Sequence, residues 1–223
     1  MTGNLVVLLH LCDSLFPLGS FAHSDGLEAA TSRGDIHDAV SLREWMRTLM
    51  RTSLRRAEAP TVARAWQHMQ TGDLEALTAL DAEAWAMRPS STGRDASRAM
   101  GARLLKTWSG LRPTPPLQRI VERQPLIGLP AAFAVVCASA GLGQPESVSG
   151  FVYTRLASTV SAAMRLMPLG QHDAHALLTA CLSGVGGMTE EVIGDQAPLS
   201  SFAPGLDLAS MRQQYGHSRL FRS

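Results

Sequence analysis

The stretch 158-STVSAAMRLMPLGQHDAHALLTACL-182 decides the fold, because a helical pattern stops in it at a Pro-Leu-Gly corner and then resumes. Upstream, Leu156, Val160, Met164 and Met167 recur at spacings of three and four, one stripe of an α-helix. Ala157, Ser161, Ala162 and Ala163 keep the surface between them small enough for close packing. Pro168 disfavours helix at Met167 and has no N–H to donate, and Gly170 tolerates the positive φ that a tight corner can require. Ala174, Leu177, Leu178, Cys181 and Leu182 then restart the stripe. Two helices therefore meet at a short bend, held by Arg165, Pro168, Gly170 and Gln171. Arg165 lies one turn before the bend on an otherwise apolar segment, so its guanidinium requires a carbonyl or carboxylate partner, or an escape to solvent along its stem.

The rest of the composition agrees with that reading. Aromatics make up 5% of the 223 residues, and Ala, Leu, Arg and Met dominate, which points to an all-α chain. This length buries a substantial single core without metals or disulfides. The formal charge of +1 gives no whole-chain reason to expect nucleic acid or an anionic membrane. Cys12, Cys137 and Cys181 are far apart, odd in number and set among apolar neighbours, as expected of small buried hydrophobes in a reducing cytoplasm. Leu5 to Cys12 lacks the basic flank and small-residue cleavage site of a signal peptide, and no uninterrupted apolar window has the length of a bilayer span, so a soluble protein is expected.

About ten helical segments follow in order. Leu5 to Leu15 reads as a short buried helix ending before Phe16-Pro17-Leu18-Gly19, and Ser24 is placed to cap the next one. Ser41 caps a helix with Leu42, Trp45, Met46, Leu49 and Met50 on one face and Arg43, Arg47 and Arg51 on the other, a pattern usual for a solvated flank. Pro60 to Gln70 and Leu74 to Met87 are the next helices. Ser90 to Asp95 reads as a capping loop before a helix over Ala96 to Trp108. Leu129 to Leu142 is apolar nearly all round, the pattern of a central helix, and Glu146 to Met167 returns. After Gly194 periodicity fades. Residues 1–210 are thus expected to form one all-α globular domain, and residues 211–223, MRQQYGHSRLFRS, a flexible tail that cannot bury enough surface to order itself alone.

No catalytic constellation is visible. There is no GxxxxGK[ST], and the single lysine, Lys106, follows Leu104-Leu105, so a phosphate-cradling loop is excluded. His172 and His175 share a helix face, but two ligands do not complete a tetrahedral site. Asp25 with Glu28, and Glu190 with Glu191, are explained by capping and solvation. Two other classes stay open: a helical metal-dependent enzyme using His172 and His175, and a helical nucleic-acid regulator using the row Arg43, Arg47, Arg51, Arg55, which comes without helix-turn-helix spacing.

The segment 11-LCDSLFPLGSFAHSDGLE-28 resembles the N-terminal signature of the UreF family of urease accessory proteins, S-x-x-L-P-x-G-G-F-x-[YF]-S-x-G-L-E. SAAMRLMPLGQ resembles that family's second signature and SRLFRS its terminal one. Ser20 stands in place of the second glycine, and His23 in place of an aromatic. The resemblance implies an all-α, non-catalytic cytoplasmic protein that dimerises and binds a UreD (UreH) partner. With that partner it recruits the GTPase UreG to apo-urease, so that nickel and GTP are handled by partners and no cofactor is bound by this chain. It also implies a partner surface at Phe21, His23, Tyr215, Arg219, Leu220 and Phe221, and no role on nucleic acid or membrane.

Overall fold

The computed structural model describes residues 2–123, 127–216 and 220–222, and every regular element among them is helical. The helices are α1 (Thr2–Cys12), α2 (Leu27–Ser32), α3 (Ala39–Leu49), α4 (Ala59–Thr71), α5 (Leu74–Ala86), α6 (Ser91–Leu111) and α7 (Pro115–Arg123). They are followed by α8 (Leu129–Ser139), α9 (Gln144–Leu166), α10 (Gln171–Leu182), α11 (Val185–Gly194) and α12 (Pro204–Arg212). A π-helical segment, Met50–Glu58, fuses α3 to α4, and α10 runs on into α11, so the described residues form ten rods, in line with the sequence reading.

At the centre lies α8. Every residue from Leu129 to Cys137 is buried, and α4, α6 and α9 enclose the helix. Phe133 meets Phe151 of α9 edge to face, with ring centroids 5.6 Å apart. Close approach of α6 to the turn before α8 depends on Gly101, where a Cβ would lie 2.1 Å from the Ile127 carbonyl oxygen. The long helix α9 then packs along α4, α8, α10 and α11, as its stripe of apolar and small residues predicts.

Several boundaries and burials differ from the sequence reading. The first helix is Thr2–Cys12, and it is buried only along Val7 and Leu11; Leu5, Val6 and Leu9 face solvent, because α1 packs chiefly on one neighbour, α9. The cap of α3 is Asp38, whose carboxylate accepts from Ser41 N–H while the Ser41 hydroxyl reaches back to Asp38 N. Ser90 itself caps α6, which begins at Ser91 and not at Ala96. At the Pro-Leu-Gly corner Met167 is extended, as the following proline demands, but Gly170 has φ −67° and needs no glycine-only conformation. The α10–α11 rod is long and apolar enough by composition to cross a bilayer, yet its buried side packs on α3, α4 and α9.

Past Gly194, where little periodicity was expected, Pro204 opens α12 and the helix passes through positions 210 and 211 unbroken, into a 3-10 turn at Gln213–Tyr215. Gln213 and Phe221 are buried in the body of the protein.

Candidate functional site

The N-terminal signature folds as a sequence of tight turns that aims two carboxylates in different directions. Gly19 has φ 76°, a 3-10 turn covers Ser20–Ala22, and then Asp25 and Gly26 both adopt positive φ, 51° and 88°. At Asp25 this is an uncommon conformation for a residue with a Cβ, and strong side-chain interactions hold it there. At Gly26 a side chain is excluded, since a Cβ would lie 2.4 Å from Ser210 N on α12. The backbone of α12 thus rests directly on the turn.

Asp25 turns inward. Its carboxylate pairs with Arg155 of α9, whose Nε donates to Glu58 Oε2 at 2.9 Å; Glu58 also receives Arg88 at 3.2 Å and the Ser53 hydroxyl at 2.9 Å. Burial alone raises the pKa of Asp25, but Arg155 and Arg88 outweigh it and hold the carboxyl down at about 2. The same contest lowers Glu58, and burial, which disfavours the Arg155 cation, is overcome by the two carboxylates. Two acids and two arginines therefore form a compensated buried network joining the signature turn, the π segment, α5's exit and α9.

Glu28 turns to the tail. Its carboxylate accepts from the backbone N–H groups of Leu220 and Phe221, the latter at 3.1 Å, and from the Gln213 side-chain amide. Gln213 Oε1 in turn accepts from Ala29 N–H at 3.1 Å, and Arg222 N–H donates to the Ala22 carbonyl at 2.7 Å. Asp25 and Glu28 are accordingly neither caps nor solvated acids: one locks the turn and the other binds the tail's backbone.

Arg165 completes the junction. Its Nη1 donates to the Phe21 carbonyl at 2.8 Å, and its guanidinium lies 3.7 Å from the Phe21 ring centroid and 4.3 Å from that of Phe221. The expected carbonyl partner exists, but it belongs to the N-terminal loop and not to the corner. Pro168, Gly170 and Gln171 shape the bend without it, helped by Leu169 N–H donating to the Met167 carbonyl at 2.8 Å. A cleft of about 110 Å³ opens beside this stack, with Leu11, Cys12, Phe21, His23, Arg165 and Phe221 on its walls. Burial depresses the His23 pKa, and Arg222, Arg103 and Arg155 together add to that against the opposing pull of Asp25. Burial also pushes the Cys12 thiol up to about 12, so it stays protonated.

Of the residues singled out for partner binding, the structure brings Phe21, His23 and Phe221 to one place. Phe221 is 3% exposed and committed to this chain's own interior, whereas Phe21, Leu220 and Tyr215 are 66%, 55% and 76% exposed. Arg219 lies outside the described residues. The sequence reading put Glu28 down to capping and solvation, and it passed over Glu58, Arg88 and Arg155. Arg155 carried a signal, a charge on the same buried face as Phe151, Val152 and Leu156, and so did Glu58, flanked by Ala57, Ala59 and Pro60. His172, Asp173 and His175 are exposed on the first turn of α10, and among the described residues no group of three or more His, Cys, Asp or Glu is placed to hold a metal ion.

Comparison with known proteins agrees with the geometry. A UreF family model matches residues 36–182, including the span from α3 to α8 that the short signatures leave uncovered. The chain is 31% identical to a urease accessory protein UreF of Cupriavidus taiwanensis over the whole of both chains. It is 32% identical to one from an Arthrobacter species, over 98% of this chain and 96% of that one. It is also 31% identical to a bifunctional urease accessory protein UreEF of Bordetella bronchiseptica, matching 99% of this chain and 52% of that longer protein.

Proposed function

Because the chain belongs to the UreF family of urease accessory proteins, we propose that it acts as a non-catalytic scaffold: with a UreD-like (UreH-like) partner it recruits a UreG-like GTPase to apo-urease and supports GTP-dependent nickel insertion. In this reading it works as a homodimer in the cytoplasm, and nickel and GTP are held by its partners. One observation carries the proposal. The three segments that resemble the family's signatures, distant from one another in the chain, converge on the Arg165 stack, where Phe21 and Phe221 flank one guanidinium.

The partner surface in this reading combines the exposed side chains of Phe21 and Leu220 at that junction, with His23 beneath them, and exposed Tyr215, to which the terminal motif adds Arg219 by sequence alone. Exposed aromatic and aliphatic side chains held on a rigid base lose little entropy on docking. Phe221 serves from inside, as the base of that junction.

The decisive experiment is co-purification with the UreD-like and UreG-like proteins of the same source. Leu220→Ala and Tyr215→Ala remove exposed groups, so they should leave the melting temperature unchanged while abolishing partner capture and urease activation. Deleting residues 211–223 is a poorer test, because it strips the buried Glu28 carboxylate of its tail donors. In calorimetry the isolated chain should show no GTP binding; tight binding would overturn the division of labour.

A further inference from the structure

The row Arg43, Arg47, Arg51, Arg55 acquires a meaning from the backbone that carries it. In a continuous α-helix, residues four apart drift around the axis by about 40° per step, so four such arginines spiral over roughly 120°. Here the helix changes pitch midway. From Met50 to Glu58 it is a π-helix, with Ala59 N–H donating to the carbonyl of Leu54, five residues back. Such a segment turns less per residue than an α-helix, so the spacing of four, which overshoots a turn in α3, falls short of one here. The spiral is pulled back into a strip. All four arginines are exposed, while Leu42, Met46, Leu49, Leu54, Ala57 and Glu58 are buried.

The π segment is fixed from inside. Glu58, at its end, is held by Arg155, Arg88 and Ser53, so the strip is mounted on an anchored backbone. Its charges are only partly engaged: Arg47 meets Glu44 at 2.8 Å and Arg55 meets Glu191 at 2.5 Å, all four side chains more than half exposed. Among the described residues Arg43, Arg51 and the neighbouring Arg56 have no ion-pair partner. Exposed pairs of this kind exchange readily for other carboxylates.

We infer that this strip is a second docking surface, separate from the Arg165 junction, for an acidic protein segment whose carboxylates recur along a helix face about 6 Å apart, the rise of four α-helical residues. The partners already seated on it, Glu44 and Glu191, are carboxylates, the chemistry that a docking acidic segment would supply in their place. With a whole-chain charge of +1, an acidic protein is favoured over a nucleic-acid backbone.

The test uses the full chain and a fluorescent helical peptide with glutamates at every fourth position, beside a scrambled peptide of the same composition and a random DNA duplex. Anisotropy should show the patterned peptide binding at least tenfold more tightly than the scrambled one at 0.1 M salt. Arg43→Gln combined with Arg51→Gln should remove that preference while the melting temperature stays unchanged. Equal affinity for the two peptides, or a preference that survives the double substitution, overturns the inference. Strip-dependent binding of the duplex tighter than the patterned peptide overturns it as well, in favour of nucleic acid. Capture of the UreD-like partner should be unaffected by the double substitution, which separates this surface from the proposed scaffold function.

Discussion

The seam around α8 and the seam between the signature turn and α9 are both buried, and they are built on opposite chemistry. Around α8, Phe133, Val135, Val136 and Cys137 are enclosed by apolar neighbours, and stability there comes from area removed from water and from tight packing. At the signature turn, Asp25, Glu58, Arg88 and Arg155 compensate one another's charge, and their burial is tolerated only while all are present. An apolar seam therefore degrades gradually when atoms are removed. An ionic one fails when a single member is lost.

The largest expected effects set the two seams against each other. Phe133→Ala and Arg155→Ala should each destabilise the protein by about 3–5 kcal/mol, the first by leaving a cavity and the second by leaving Asp25 without its paired cation and the buried Glu58 with Arg88 alone. Their pH dependence separates them. Asp25 and Glu58 have folded pKa values below their unfolded ones, so their contribution is complete above the ordinary carboxylate range and is lost as pH falls from about 4 towards 2. In denaturant titrations the gap between the parent protein and Arg155→Ala should narrow over that window, while the gap to Phe133→Ala stays constant. Parallel curves for both variants would show that the network contributes no net stability.

Next in size is the tail. Glu28→Gln exchanges a carboxylate that accepts from two backbone N–H groups for an amide that cannot satisfy both as strongly, and should loosen the tail by about 2–4 kcal/mol. Hydrogen exchange at Leu220 and Phe221 should accelerate while the amides of α8 remain protected; unchanged protection at Phe221 would mean that apolar burial alone holds it. Arg165→Ala should lower stability by about 1–3 kcal/mol through the lost bond to Phe21 and the lost stack, read as a lower melting temperature. The smallest effect concerns His23. Its folded pKa lies below the unfolded value near 6.5, so the unfolded chain takes up a proton more readily and stability declines as pH drops below about 6.5. His23→Phe should flatten the melting temperature between pH 7 and pH 5.5, and an unaltered slope would assign that decline elsewhere.

Much of the fold was legible because helical periodicity is local. The stripe through Leu156 and Val160 marked α9, the all-round apolar run at FAVVCASA marked α8, and Pro168 marked the bend. The π segment was not legible, since arginines spaced by four suit an α-helix and a wider one alike. The burial of α1 was overestimated because an apolar run records no count of its neighbours. At the junction, Arg165's need for a partner could be read in the chain, and its choice of Phe21, 144 residues away, could not.

What the sequence determined by itself is the helical class, the core stripes, the corner at Pro168 and the membership in a family whose signatures occupy the two ends and the third quarter of the chain. Tertiary structure alone decided which charges are matched: that Asp25 meets Arg155, that Glu28 holds the backbone of a tail nearly two hundred residues on, and that Phe221 is buried at home. The reason is physical. Periodicity follows from the fixed geometry of one helix, whereas the pairing of a buried charge depends on desolvation and on whichever opposite group the packing of several helices delivers to it.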